Sequence, residues 1–134
     1  MSTQLAHFTV AYWCVLVAVL LPIGCAMLAK RGGFSMKRDN HDPRQWLTKQ
    51  TGWRARANAA QANSYESLPF FIGAVIIAHQ LGAAQTPLDM LALAYVLIRL
   101  LYIVMYVGDL PTARSMIWGA GFLVNVGILF LGYR

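Results

Sequence analysis

The sequence predicts an all-α protein, an integral membrane four-helix bundle. Three observations carry that prediction. Of 134 residues, 58% are hydrophobic and only 12% are charged, about half the charged fraction of a soluble domain. Four apolar runs recur along the chain. Eight of the eleven Lys and Arg residues fall between the first run and the middle of the second. A chain this short has room for one domain, here residues 1–134, and could not hide so much apolar surface from water.

The first helix is expected over about 8–29, where "FTVAYWCVLVAVLLPIGCAMLA" is long enough to cross a hydrocarbon core of roughly 30 Å. That run is too long for a cleaved signal segment and lacks its basic flank. Cys14 and Cys25 lie about 16 Å apart along this helix, too far to pair with each other, and read as buried spectator thiols. A polar loop follows over about 30–55. The second helix is expected over about 56–81. Its purely apolar part, Leu68–Leu81, is too short to span, so "RANAAQANSYES" must enter the membrane or its interface. Pro69 has no N–H for the carbonyl of Tyr65 and should bend this helix. The third helix is expected over about 87–107, with Thr86 as N-cap, Pro87 in the first turn, Asp89 assisting the same end, and Gly108 as its stop. The fourth, about 111–133, opens on Pro111.

Lys30, Arg31, Lys37, Arg38, Arg44, Lys49, Arg54 and Arg56 place the first loop in the cytoplasm and both termini on the opposite side. The net charge of +6 is thus a topology signal and does not point to nucleic acid. The expected location is a bacterial inner membrane, crossed several times. His7, His41 and His79 show no metal-ligand spacing, and no glycine-rich nucleotide motif occurs. Trp13, Trp46, Trp53 and Trp118 read as packing or interfacial anchors.

Three polar constellations stand against this apolar background. Arg56, Ala60, Asn63 and Glu66 or Ser67 recur every three or four residues and share one face of the second helix. Arg99, Tyr102 and Tyr106 do the same on the third. Arg99 lies about 12 Å from Val107, near mid-membrane, and the one acid of matching depth is Glu66, so a Glu66–Arg99 ion pair is expected across the two helices. Arg114 and Ser115 stand in the first turn of the fourth helix, where free amides and the dipole favour an anion. Together these make a polar pocket open to the cytoplasm and walled by lipid-facing helices. Such a pocket suits the joining of a water-soluble nucleophile to a lipophilic electrophile.

Arg56-x3-Ala60-x2-Asn63-x2-Glu66-x2-Pro69, "RLLYIVMY" and Arg114-Ser115 resemble, in order and spacing, the membrane-associated proteins in eicosanoid and glutathione metabolism. That family includes microsomal glutathione transferases. The resemblance covers essentially the whole chain. It implies a homotrimer with glutathione as co-substrate between subunits, no metal, and membrane lipids and a lipophilic electrophile as partners. It implies that Arg56, Gln61, Asn63, Glu66, Tyr102 and Tyr106 line or support the glutathione site. Arg114 would stabilise the glutathione thiolate, with Ser115 beside it. The chemistry is sound, because a cation and a helix dipole lower a thiol pKa from about 8.5. The chain departs from some members by carrying Ala59 where they have arginine and Ser67 where they have tyrosine, and Arg31, Arg38 or Arg44 would have to replace the lost cation. The implied activity is conjugation of glutathione to a lipophilic electrophile, or reduction of a lipid hydroperoxide. The alternative is a non-catalytic lipid-binding member of the same family. A small drug/proton antiporter is disfavoured, since the first helix carries no acid.

Overall fold

A computed structural model describes residues 7–134, and the segment 1–6, expected opposite the first loop, lies outside the described residues. Among the described residues five α-helices occur: α1 (Val10–Lys30), α2 (Pro43–Thr48), α3 (Gly52–Gln80), α4 (Gln85–Val107) and α5 (Pro111–Phe130). A single 3₁₀ turn, Asp39–His41, precedes α2. Among the described residues there is no strand.

The long helices α1, α3, α4 and α5 pack into one bundle. Helices α1, α4 and α5 are each long and apolar enough to cross a membrane. Helix α3 has 29 residues, about 43 Å of rise, but its first half is too polar to meet that standard. On α1 the buried face is made of small residues, Ala11, Cys14, Ala18, Cys25 and Ala29. Small side chains let helix backbones approach closely where lipid supplies no hydrophobic drive. Larger groups fill the centre: Phe71 stacks on Tyr95 with centroids 4.2 Å apart, beside fully buried Leu88, Val75 and Ile128. Leu20, Met27, Leu97, Val104, Met116 and Leu123 point outward and are exposed on this chain, as side chains solvated by lipid must be. Cys14 and Cys25 are buried and unpaired.

Several boundaries differ from expectation, and each has a physical cause. The loop 30–55 contains α2, whose start is a Pro at N1 behind Asp42; the Asp42 Oδ1 accepts from the Gln45 amide at 3.1 Å. Helix α3 begins at Gly52, four residues early, which turns Arg54 and Arg56 into helical side chains. Arg54 Nη1 donates to the Ala29 carbonyl at 2.9 Å, and Arg56 Nε donates to the Val107 carbonyl at 3.0 Å. Both guanidinium groups thus sit at the negative ends of neighbouring helices, α1 and α4. Helix α3 also continues as one element through Pro69.

Thr86 is not an N-cap: α4 starts at Gln85 after Ala84, without a side-chain cap. Asp89 serves another helix. Its Oδ1 accepts from the Ala11 amide at 2.8 Å and from Gln85 Nε2 at 2.7 Å, placing a carboxylate at the positive end of α1. The turn after α4 takes its left-handed residue at Asp109, φ 59°, one beyond Gly108. Helix α5 ends at Phe130, three residues short of expectation, because Gly132 packs on the end of α3. A Cβ there would come within 2.7 Å of the Leu81 Cβ.

Candidate functional site

The end of the bundle that carries the basic loop also carries a cavity of about 450 Å³. Helix α3 contributes Ala59, Ala62, Asn63 and Glu66 to its wall, α4 contributes Tyr102 and Tyr106, and α5 contributes Arg114, Ser115 and Trp118. The connection Gly108–Leu110 is short enough to set the start of α5 beside the end of α4. That brings Arg114 over Tyr106, its guanidinium carbon 4.4 Å from the ring centroid.

One helical turn deeper the motif repeats, with Arg99 over Tyr102 at 4.1 Å. The two tyrosine rings meet edge to face at 5.7 Å. The result is a ladder, Arg99–Tyr102–Tyr106–Arg114, that runs from the buried centre to the cavity. Each guanidinium stacks on an aromatic face, which leaves its edge N–H groups free for oxygen acceptors.

Arg99 is 3% exposed, and its Nη2 donates to Asn63 Oδ1 at 3.0 Å and to Ser64 Oγ at 3.1 Å. The expected Glu66–Arg99 ion pair is not formed. Among the described residues the only ion pair is Arg38–Asp39, in the exposed loop, at 3.0 Å. Neutral acceptors and a ring face satisfy Arg99 without burying a second charge, whose desolvation is costly. Glu66 instead faces the cavity and is exposed on this chain.

Helix α5 starts without a side-chain cap. The positive end of its dipole therefore lies within one turn of Arg114, whose own amide donates to the Leu110 carbonyl at 2.9 Å. Ser115 follows Arg114 and presents a hydroxyl to the same space.

Six expected site residues thus share one cavity: Asn63, Glu66, Tyr102, Tyr106, Arg114 and Ser115. Two do not. Arg56 is occupied at the end of α4. Gln61 lies on the adjacent face of α3, in a second cavity of about 330 Å³ with Arg44, Asn58 and Tyr65. Its buried Oε1 has no hydrogen-bond partner. Of the loop cations, Arg38 is held by Asp39, whereas Arg44 stands beside Gln61.

Sequence spacing passed over Trp118, although it follows Arg114 by four residues and so shares its face. It also passed over Ala59 and Ala62 as the floor of the cavity, since alanine carries no chemical signal. Among the described residues no group of three His, Cys, Asp or Glu side chains is gathered in one place.

The profile of the MAPEG family matches residues 10–133. The chain belongs to the MAPEG family. No curated protein and no solved structure gives a significant match. The MAPEG match spans all five helices, so the cavity and the ladder lie wholly within it. It fits the three apolar helices and makes the chain a membrane protein.

Proposed function

We propose that this protein is a membrane-embedded glutathione transferase with peroxidase capacity, acting on lipophilic substrates from the bilayer. The observation that carries the reading is the meeting of Arg114 and Ser115 with Asn63, Glu66, Tyr102 and Tyr106 in one cavity. The residues suit a small peptide with two carboxylates, an ammonium group and a thiol. Arg114 answers an anion, Glu66 an ammonium, and Asn63 and the tyrosines polar peptide groups. The volume of about 450 Å³ lies in the range of small-molecule sites.

In this reading Arg114 lowers the thiol pKa, and the departing proton leaves through the open mouth of the cavity. The sulfur lone pair attacks the electrophilic carbon, the C–S bond forms, and the leaving group departs or a conjugated double bond shifts. With a hydroperoxide the thiolate attacks the terminal oxygen and the O–O bond breaks. The alcohol then leaves, and a second glutathione converts the sulfenic acid to disulfide and water.

The same reading makes α3 the fourth membrane span and places the loop end of the bundle in the cytoplasm of a bacterial inner membrane. It assembles three copies so that the Gln61–Arg44 face of one subunit closes over the cavity of the next. The unpartnered Gln61 Oε1 supports that assembly.

Turnover with chlorodinitrobenzene and with cumene hydroperoxide, measured in lipid nanodiscs, tests the reading. Wild type should show glutathione-dependent turnover of at least one. Arg114→Ala should lower kcat/KM by about 10²-fold, the scale of losing one charge-stabilising donor. Native mass spectrometry of the same sample should show three copies; a fully active monomer would remove the shared site. Absence of glutathione-dependent turnover with either probe would favour the lipid-binding alternative, which Ala59 and Ser67 already suit.

A further inference from the structure

Asn63 faces two ways, toward the buried centre of the bundle and toward the outer cavity. A carboxamide carries an acceptor oxygen at one end and two N–H donors at the other. Arg99 carries donors only, so the end that meets its Nη2 at 3.0 Å is Oδ1, and the amide has a single orientation. The same Nη2 donates to Ser64 Oγ at 3.1 Å, and the Tyr102 ring covers the guanidinium face at 4.1 Å. Arg99 and Ser64 are both buried, where a hydrogen bond meets little competition from water.

The other end of the amide is uncommitted. Among the described residues Asn63 Nδ2 has no hydrogen-bond partner, and it is open to solvent, whereas Asn125 Oδ1 on α5 is unpartnered and sealed. Asn63 lines the outer cavity beside Ala59 and Ala62, whose methyl groups offer that nitrogen no acceptor. Arg99 had alternatives. Arg99, Glu66 and Asn125 line one inner cavity of about 190 Å³, yet the guanidinium gives its side-chain bonds to Asn63 and Ser64. That choice couples a buried arginine to a side chain of the outer cavity.

We propose that Arg99 is a positioning residue for Asn63. By holding Oδ1 it turns the N–H2 group to the outer cavity, so that Asn63 acts there as a donor only. The ligand atom it meets is therefore an oxygen acceptor, of a carbonyl or a carboxylate, and never an N–H. Without Arg99 the amide is free to turn over and present its oxygen instead. Glu66, three residues on and on the same face, offers only acceptors when ionised. Helix α3 thus presents a donor and then an acceptor in fixed order along the cavity wall. The inference rests on the transferase reading for the identity of the ligand as glutathione, but the hold on Asn63 belongs to the free protein.

Two measurements separate these. The first uses the ligand-free protein in nanodiscs. Asn63→Leu should lower the Tm when Arg99 is present and leave it unlowered in an Arg99→Met background, where it removes no bond. An equal loss in both backgrounds would overturn the hold. The second is NMR of protein isotope-labelled at asparagine nitrogen, the Asn63 side-chain signals being those absent from Asn63→Leu. Saturating glutathione should move an Asn63 side-chain proton downfield, as donation to oxygen does, in wild type and in Arg99→Lys, which keeps a donor. In Arg99→Met that shift should vanish and glutathione should bind about tenfold more weakly, the scale of one hydrogen bond. A full shift in Arg99→Met, or Asn63 protons unmoved in glutathione-saturated wild type, would overturn the donor assignment. Wild type that binds no glutathione would remove the transferase reading instead, and the Tm comparison would still decide the hold on Asn63.

Discussion

Arg99 and Glu66 line the same inner cavity, yet Arg99 gives its hydrogen bonds to Asn63 and Ser64. The division of labour follows: Asn63 braces the bundle as well as facing the outer cavity, and Glu66 only faces it. Asn63→Ala leaves a buried guanidinium short of an acceptor and should destabilise the protein by about 1–2 kcal/mol. Glu66→Gln, at an exposed position, should stay within about 0.5 kcal/mol of wild type while weakening glutathione binding. Thermal unfolding in nanodiscs checks both, and a large loss for Glu66→Gln would restore the ion pair. Helical spacing made the faces legible, because residues three and four apart must lie together. It could not say which neighbour Arg99 would choose, since that depends on side-chain reach across two helices. Asn125 stands out in sequence as a lone amide in an apolar helix, but only the packing of three helices shows that its oxygen is unpartnered.

At the scale of elements, helix ends are tied by residues from other helices. Asp89 of α4 holds the first amides of α1, and Arg54 and Arg56 of α3 hold the last carbonyls of α1 and α4. Asp89→Ala should cost about 1 kcal/mol, the worth of a capping acceptor, read as a lower Tm with the glutathione site intact. These ties explain why the long apolar helices were legible from composition while their termini were not: the local capping signal at Asp89 yielded to a bond between helices. Helix α2 was hidden for the opposite reason. Six residues carry too little periodicity, although Asp42-Pro43 is an N-cap and N1 pair. In the loop before it, Asp39 accepts from Arg38 Nε at 3.0 Å and from the Ser35 amide at 2.7 Å. These bonds hold its carboxyl below the ordinary carboxylate range, Arg38 contributing most. The ordering they supply is therefore present at neutral pH and lost as pH falls through that lowered pKa. The Ser35 amide resonance should move with that titration and stay fixed across neutral pH.

For the whole molecule, the bundle and its polar end were legible because a bilayer fixes helix length and makes each polar residue conspicuous. The association of copies is legible in neither sequence nor single chain by the same rules, since lipid-facing and subunit-facing side chains are both apolar. What joins the scales is the ladder from buried Arg99 through Tyr102 and Tyr106 to Arg114, which ends where the cavity meets the start of α5. The central claim is that this end activates a thiol. The direct test is an ultraviolet titration of glutathione thiolate on the purified protein, wild type beside Arg114→Ala. The account predicts a thiolate band at neutral pH in wild type, with the bound thiol pKa at least about one unit below 8.5, and no band in the variant. A band of equal strength in both, or none in wild type at millimolar glutathione, would contradict it.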